Sequence, residues 1–394
     1  MKRIYLDYAA TTPTHPEVIK EMFPFFSEVY GNPSSIYQLA QKAKRAVEEA
    51  REKVARFLNA KTEEIIFTSG GTEADNMALK GIAFANKKRG NHIVTSKIEH
   101  HAVLNTCKWL EKQGFKVTYI PVDRYGVVDF DELRKSLTDK TILVSVMYAN
   151  NEVGTIEPIS EIARITKERG IYFHTDAVQI VGKIPVDVEK LGVDLLSLSA
   201  HKLYGPKGVG ALYMRKGVRI SSLIHGGHHE RNKRAGTENV PGIVGLGKAC
   251  EIAAKEMATE EKRLKILRDR LYKGLNRRID EIFFNGHPQN RLPGILNICI
   301  KYVEGESMLI NLDLEGVCAS SGSACTSSSL EPSHVLLAMG IPPEVAHGSL
   351  RFSLGRDTTE GDIDRVIEVL PPIVEKLRVM SPFGKKAKSG EYRG

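Results

Sequence analysis

The stretch Asp194-Leu195-Leu196-Ser197-Leu198-Ser199-Ala200-His201-Lys202 is an apolar run of strand length that ends in polar residues and leads into a glycine-containing turn. Similar runs lie on both sides of it, between about residues 60 and 215, and amphipathic helical stretches separate them. Strands that alternate with helices are typical of an α/β protein with a mostly parallel sheet. The predicted strands are Glu64–Thr68, His92–Ser96, Lys116–Pro121, Ile142–Met147, Ile171–Thr175, Asp194–Ser199 and Gly210–Arg215.

A long helix is predicted after this region, from about Val240 into Asn276. Its leucines at 264, 267, 271 and 275 recur at the spacing of one helix face. Further strands are predicted at Gly294–Ile300 and Ser349–Ser353. We therefore expect a large domain of residues 15–255 and a smaller α/β domain of residues 1–14 and 256–394. The smaller domain includes a mobile loop at about 318–332 and a flexible tail at 381–394.

The composition is that of an ordinary globular enzyme, with 42% hydrophobic and 26% charged residues in a chain of 394. No apolar run reaches the roughly 18 residues that cross a bilayer, and Asp7 interrupts any signal-like core, so we expect a cytoplasmic protein. Five cysteines without CxxC spacing argue against a disulfide framework and against an intrinsic metal site. A cysteine with a function in this chain would therefore be a reactive thiol.

The formal net charge of +8 is compatible with attraction to nucleic acid or to an acidic protein. Acidic and basic residues are interspersed along most of the chain, however, as between Arg45 and Arg56. Such stretches are usually solvated helix faces, and the chain has no basic stripe or aromatic platform of the kind that binds nucleic acid. We expect no stable nucleic-acid partner.

Many polar and titratable residues follow the predicted strands, and ligands of open α/β sheets bind at the carboxyl ends of strands. The turn Ser69–Asp75 opens a helix, with Thr72 and Asp75 predicted to form a capping box. Free amides and the positive end of the helix dipole suit a phosphate group there. Many helices begin in this way with nothing bound, so this motif is weak by itself.

Four other strand ends carry His100, Asn151, Asp176 and Lys202, each of which has a purely structural interpretation when taken alone. A carboxylate in an apolar neighbourhood, such as Asp176, normally needs a cationic partner. Taken together, they provide a lysine for a Schiff base, an acid that keeps a pyridine nitrogen protonated, and a helix start for a phosphate. This combination points to pyridoxal 5'-phosphate.

Several motifs resemble those of the cysteine desulfurases of the class V aminotransferase family, which are fold-type-I pyridoxal-phosphate enzymes. The resemblance extends over essentially the whole chain. The motifs are Tyr5–Thr12, Gly31–Ser35, the Gly-Thr-Glu of residues 71–73, Asn150–Gly154, Ser199–Lys202 and Arg234–Asn239. The fold implied is a large domain built on a mostly parallel seven-stranded sheet flanked by helices, with a smaller α/β domain.

The resemblance also implies site residues. Lys202 would bind the cofactor and act as acid and base at the substrate carbon, Asp176 would pair with the ring nitrogen, and His100 would stack on the ring as a catalytic residue. The other cofactor-binding residues implied are Gly71, Thr72, Asn151, Gln179, Ser199, His201 and, from the neighbouring subunit, Thr237. The substrate-binding residues implied are Asn32, Asn151 and Arg351.

The predicted sulfur acceptor is Cys325. The stretch Ala319–Ser329 has almost no apolar content, which predicts an exposed loop. The cysteines at 107, 250 and 299 lie in apolar patterns typical of buried thiols, and Cys318 at the start of the loop is the remaining rival. The resemblance selects Cys325, whose thiolate would take sulfur from L-cysteine, release L-alanine and keep a persulfide.

The resemblance implies a homodimer and a sulfur acceptor, which is either an iron–sulfur scaffold protein or a factor in tRNA thiolation. Cys325 could then also be a transient iron–sulfur ligand. The alternatives are a selenocysteine lyase, another enzyme of this fold, or a non-catalytic scaffold or RNA-associated protein. Two residues depart from the family pattern, Tyr37 and His228. A histidine at 228 would be strained if its backbone φ were positive.

Overall fold

The computed structural model describes residues 3–321 and 331–380. Cys325 and the tail of residues 381–394 lie outside these ranges. The strands are β1 (Ile4–Tyr5), β2 (Ile65–Thr68), β3 (His92–Ser96), β4 (Lys116–Ile120), β5 (Thr141–Ser145), β6 (Tyr172–Asp176), β7 (Leu195–Ser199), β8 (Gly210–Met214), β9 (Ile282–Asn285), β10 (Ile295–Ile300), β11 (Val317–Cys318) and β12 (Ser349–Ser353).

A seven-stranded sheet forms the centre, with the order β2-β8-β7-β6-β5-β3-β4. Strands β4, β3, β5, β6 and β7 are parallel, and β8 runs antiparallel to both β7 and β2. Every residue of β3, β5 and β7 is buried, because helices cover both faces of the sheet. The mixed α/β fold and the mostly parallel sheet predicted from the apolar runs are confirmed.

Each predicted strand is present, with ends that differ by at most two residues. The most informative difference is in β6, which extends to Asp176, so that this acid is the last strand residue. Strand β9 was not predicted, since it is short and only partly buried. Strands β1 and β11 pair in parallel, with Ile4 opposite Val317, a contact across the chain that local pattern does not reveal.

The helices are α1 (Pro16–Met22), α2 (Pro24–Ser27), α3 (Gln38–Leu58), α4 (Gly71–Ala85), α5 (His101–Lys112), α6 (Phe130–Ser136), α7 (Ile159–Glu168), α8 (Val188–Leu191), α9 (Val240–Asn276), α10 (Gly305–Leu314), α11 (His334–Ala338), α12 (Pro343–Ala346) and α13 (Glu360–Met380). Helix α7 stops before Gly170, whose φ of 63° favours glycine. Across the described ranges, no helix combines the length and the apolar character needed to cross a membrane.

Helix α9 is 37 residues long and contributes to two hydrophobic cores. Its first turns, including Ile243 and Leu246, pack into the core of the central sheet. The predicted leucine face at 264, 267, 271 and 275 is buried in a second core, around the three-stranded antiparallel sheet β12-β10-β9. The helix therefore contributes side chains to both of these cores.

A buried ion pair holds a strained turn against the central sheet. Arg51 of α3 donates to both carboxylate oxygens of Glu230, at 2.8 and 2.9 Å, and each side chain is less than 5% exposed. Glu230 also accepts a hydrogen bond from the N–H of Phe67. Glu230, Arg231 and Asn232 all have positive φ, a conformation that is unfavourable for residues with a Cβ.

We predict that Glu230→Gln destabilises the apoprotein by about 3 kcal/mol, because it removes the buried counterion of Arg51 and leaves only the more exposed Glu48, 3.3 Å from Arg51 Nε. Chemical denaturation measures the free energy of unfolding. The control is Asp364→Asn, which removes the exposed ion pair with Arg270, and its expected cost is about 0–1 kcal/mol. Equal costs for the two variants would contradict the importance of the buried pair.

Candidate active site

Lys202 lies just after β7, at the carboxyl edge of the central sheet. Its Nζ donates hydrogen bonds to the carbonyl oxygens of Ala9 (2.5 Å) and Ala10 (2.8 Å). Gln179 Nε2, from the loop after β6, donates to the same Ala9 oxygen at 2.9 Å. The N-terminal segment therefore brings backbone acceptors to the predicted cofactor lysine.

The same segment, Asp7–Thr12, contacts several other predicted site residues. His201 Nδ1 lies 3.1 Å from Thr11 Oγ1, and Thr12 Oγ1 donates to the His201 carbonyl. Sequence reasoning recognised this motif but missed its role as a wall of the site. Backbone carbonyl groups are common to all residues, so the sequence does not show which of them line a site. The one available signal was that this motif lies outside the predicted strands and helices of the sheet.

Asp176 ends β6, next to β7, and is only 5% exposed. Its carboxylate accepts a hydrogen bond from the Val178 N–H at 2.9 Å. Burial raises the pKa of Asp176 to about 6, while the Val178 N–H and the charge of Lys202 oppose that rise. Asp176 is thus a buried acid whose ionised form depends on a nearby positive charge.

His100 caps the N-terminus of α5. Its Nδ1 accepts a hydrogen bond from the Ala102 N–H at 3.1 Å, so the ring carries its proton on Nε2 when neutral. Burial, and then the positive charge of Lys202, lowers the pKa of His100 to about 4. The imidazole is therefore neutral at physiological pH, and a neutral imidazole can stack on a protonated pyridine ring without charge repulsion.

The predicted phosphate position is the start of α4, where Gly70 is the N-cap and makes no side-chain capping bond. The predicted capping box of Thr72 and Asp75 is wrong, because the helix begins at Gly71 and Asp75 is buried inside it. A Cβ at Gly71 would lie 2.6 Å from Val178 Cγ2 and 3.6 Å from Ser199 Cβ. Uncapped amides in a space that closely packed neighbours shape are suited to a phosphate.

Arg351, on β12, is 3% exposed and reaches the site from the other core. Its two terminal nitrogens donate to the Asn151 carbonyl (2.9 Å) and to Asp7 Oδ1 (2.8 Å). Within the described residues, its buried Nε has no hydrogen-bond partner. Asn32 is exposed, and its side chain accepts a hydrogen bond from the Ser34 N–H. Arg351 therefore joins the site residues, whereas these contacts place Asn32 in a local turn.

The segment that carries Thr237 is tied to the start of α4, because Arg234 Nε donates to Glu73 Oε1 at 2.9 Å. Thr237 itself is exposed. His228 is not among the residues with positive φ, so the strain considered for it is absent, and the left-handed conformations lie at residues 230–232 instead. His228 Nδ1 lies 2.6 Å from Asn232 Oδ1.

The buried cysteines are poor nucleophiles. Burial raises the pKa of the Cys250 thiol to about 12 and that of Cys299 to about 11, and it raises the pKa of Cys107 further. Cys318 belongs to β11 and is half-buried. Cys325 lies outside the described residues, so the structure does not compare these thiols with it.

The described residues fit the cofactor that the sequence pointed to. A lysine amine, a buried acid and an uncapped helix start lie at the ends of β7, β6 and β2, and an arginine with a spare donor faces them. The acid needs a positive partner, which a protonated pyridine nitrogen supplies when pyridoxal phosphate is bound.

We predict that His100 in the apoprotein stays neutral down to about pH 5. The Lys202→Met variant should raise its pKa, because a positive charge is removed, yet burial should keep the value below 6.5. NMR of histidines labelled with nitrogen-15 measures both midpoints, and His100→Asn assigns the signal. An unchanged midpoint in Lys202→Met would contradict the coupling.

Comparisons with known proteins agree with this geometry. The aminotransferase class-V family model matches residues 4–366. The chain is 60% identical to "Cysteine desulfurase IscS" of Dictyoglomus turgidum, over 98% of this chain and 99% of the relative, and 59% identical to the protein of that name from Methanosarcina thermophila, over 100% and 96%.

Solved structures give the same result. A structure titled "NifS-like protein" has a TM-score of 0.90 at 43% identity and covers 95% of this chain and 100% of its own. A structure titled "SspA in complex with cysteine" has a TM-score of 0.79 at 37% identity, with 89% and 98% covered. Family model, relatives and fold coincide over nearly the full length, and the chain therefore belongs to the pyridoxal-phosphate-dependent cysteine desulfurases of the class V aminotransferase family.

Proposed function

We propose that this cysteine desulfurase binds its cofactor on Lys202, holds L-cysteine by Arg351 and receives the sulfur on Cys325. The observation that carries the proposal is that Lys202, Asp176 and His100 lie at the carboxyl ends of β7, β6 and β3 of one sheet, where the charge of Lys202 acts on both other groups, and that Arg351 from β12 contacts Asn151 and Asp7 at the same edge. A solved relative is a complex with cysteine, which supports the same substrate.

Arg351 binds the substrate carboxylate in this proposal. The planar guanidinium is suited to a carboxylate, and its Nε has no partner in the described part of the chain. The contacts to Asp7 and to the Asn151 carbonyl fix the direction of the fork before substrate arrives. Substrate is thus oriented by a side chain whose position is set by both cores.

Bound pyridoxal phosphate supplies an electron-withdrawing ring that weakens bonds next to the substrate amino group. Lys202 Nζ removes and returns the proton at the substrate α-carbon, and neutral His100 holds its own proton on Nε2. The Cys325 thiolate attacks the substrate sulfur, forms the new S–S bond and breaks the carbon–sulfur bond. The electron pair stays on carbon, which takes up a proton, and L-alanine leaves.

A homodimer is part of this proposal. Large apolar side chains are exposed along α1, α2 and the loop before α3, where Ile36 is 94% exposed. These side chains are Ile19, Phe23, Phe26, Tyr30 and Ile36. Large apolar side chains that are exposed close together are typical of a protein interface. Thr237 is also exposed, which leaves it accessible to a second chain.

The sulfur acceptor and the division into domains are also proposals. We propose an iron–sulfur scaffold protein or a tRNA-thiolation factor as the acceptor, and the cytoplasm as the place of transfer. Most residues of the two hydrophobic cores divide between a proposed large domain of residues 15–255 and a proposed small domain of residues 1–14 and 256–394, while Ala9, Leu292 and Ile295 of the small domain pack into the first core. Arg351 and Lys202 would then belong to different domains.

We predict that Cys325→Ala keeps the visible absorbance of bound cofactor and loses the persulfide and the sulfide released from cysteine under reductant. Peptide mass spectrometry after addition of cysteine locates the extra sulfur atom. Cys318→Ala is the matched control and should retain both products, and Lys202→Ala should lose the borohydride-sensitive absorbance. Sulfide release by Cys325→Ala at the wild-type rate would remove this thiol from the reaction.

We predict that light scattering gives the wild-type protein twice the mass of one chain. The double variant Phe23→Glu and Phe26→Glu should have the mass of one chain, because two charges cannot be buried in an apolar interface. Ile266→Glu, an equally exposed apolar position on α9, should remain dimeric. A wild-type protein with the mass of one chain would refute the dimer.

A further inference from the structure

A second group of buried titratable residues lies beside Asp176 and has no part in the chemistry proposed above. His174 precedes Asp176 by two residues on β6, so both side chains leave the same face of the strand. Its Nδ1 lies 2.9 Å from Ser145 Oγ on β5, and its Nε2 lies 3.0 Å from Ser197 Oγ on β7. Asp75 of α4 completes the group, with Oδ1 3.6 Å from His174 Nε2.

Water does not reach these groups. His174 is fully buried, Asp75 is 1% exposed, and Glu99, on the loop before α5, is fully buried nearby. Glu99 Oε1 accepts hydrogen bonds from Ser96 Oγ (2.6 Å) and the Met147 N–H (2.9 Å). Within residues 3–321 and 331–380, Asp75 Oδ1 and Glu99 Oε2 have no hydrogen-bond partner.

The three carboxyl groups of Asp75, Glu99 and Asp176 share one buried region, and their negative charges would repel one another. Asp176 has the best support for a charge, from the Val178 N–H and from Lys202. Asp75 has the Ser197 hydroxyl, and burial raises its pKa well above the ordinary value. Burial also lowers the pKa of His174 to about 3, so the imidazole is neutral and offers Asp75 no counterion.

We propose that Asp75 and His174 are positioning residues: Asp75 carries a proton, and neutral His174 links it through Ser197 and Ser145 to the central strands, so that of the two aspartates Asp176 is the ionised one. The inference rests on the proposed function, because it assumes that Asp176 faces the ring nitrogen of the cofactor. One negative charge then balances one protonated nitrogen.

The placement of Asp75 gives this pair a second effect. Asp75 is one turn into α4, and this helix begins at Gly71, the proposed phosphate position. Contacts of Asp75 with His174 and Ser197 therefore tie the helix to β6 and β7, the strands that end at Asp176 and Ser199. The distance between the phosphate position and the ring position is set by packing inside the protein.

The first test is the stability of the apoprotein as a function of pH. The titratable groups that face Asp75 are Asp176, His174 and Glu99, and Lys202 acts on Asp176. An acid with a raised folded pKa costs stability once pH exceeds its unfolded value. Asp75→Asn removes that cost, so its folding constant relative to wild type should rise about tenfold per pH unit above about pH 5, until the folded pKa is reached.

The result that would overturn the inference is a constant ratio of the two folding constants between pH 5 and 9, since Asp75 would then ionise alike in the folded and unfolded states. Asp75→Ala is the matched control for the hydrogen bond with Ser197 and the contact with His174. Relative to wild type, Asp75→Ala should show the same pH slope as Asp75→Asn. At every pH it should be less stable than Asp75→Asn, because it also loses the contacts to Ser197 and His174.

The second test uses pyridoxal phosphate labelled with nitrogen-15 in the ring. Its NMR signal should report a protonated nitrogen in both wild type and Asp75→Asn, and Asp75→Ala should bind the cofactor about tenfold more weakly, with Asn restoring the affinity. A shifted ring signal in Asp75→Asn would overturn the inference. A protonated ring in Asp176→Asn would instead contradict the proposed role of Asp176, while the stability comparison still decides the ionisation of Asp75.

Discussion

A carboxylate kept ionised at the buried end of a strand is the constraint on which the rest of the site depends. Asp176 is removed from water, which disfavours its charge, and a backbone N–H and the Lys202 ammonium oppose that effect. Strand β6, which ends at this acid, pairs in parallel with β7, and Lys202 follows the end of β7. The pairing of β6 with β7 therefore places the acid and the lysine close together.

The N-terminal segment contacts both the lysine of this pair and the arginine of the other core. Ala9 and Ala10 present carbonyl oxygens to Lys202, and Asp7 holds Arg351, which comes from the other core. The four residues from Asp7 to Ala10 thus connect the lysine with the arginine. The site is therefore an interface between two packed regions and not a feature of the central sheet alone.

Much of the fold could be predicted from sequence, because buried parallel strands are short apolar runs between helices. The acid after β6 and the lysine after β7 stand out for the same reason, as polar residues where apolar runs stop. The packing of Ala9 and Ala10 and the pairing of β1 with β11 could not be predicted, since both join distant parts of the chain through backbone groups. Asp75 was misassigned as a cap because its helical position resembles a capping box, whereas tertiary packing buries it against His174.

The pairing of Ile4 with Val317 has a consequence for biosynthesis. A ribosome releases the first strand long before its partner strand exists, and domains generally fold as units during synthesis. The central sheet can collapse while β1 is still unpaired, and Thr11 and Thr12 can already contact His201 at that stage. The contact of Asp7 with Arg351 forms only after β12 has emerged. A nascent chain that stalls before that point holds the lysine and the acid, yet lacks the arginine that β12 supplies.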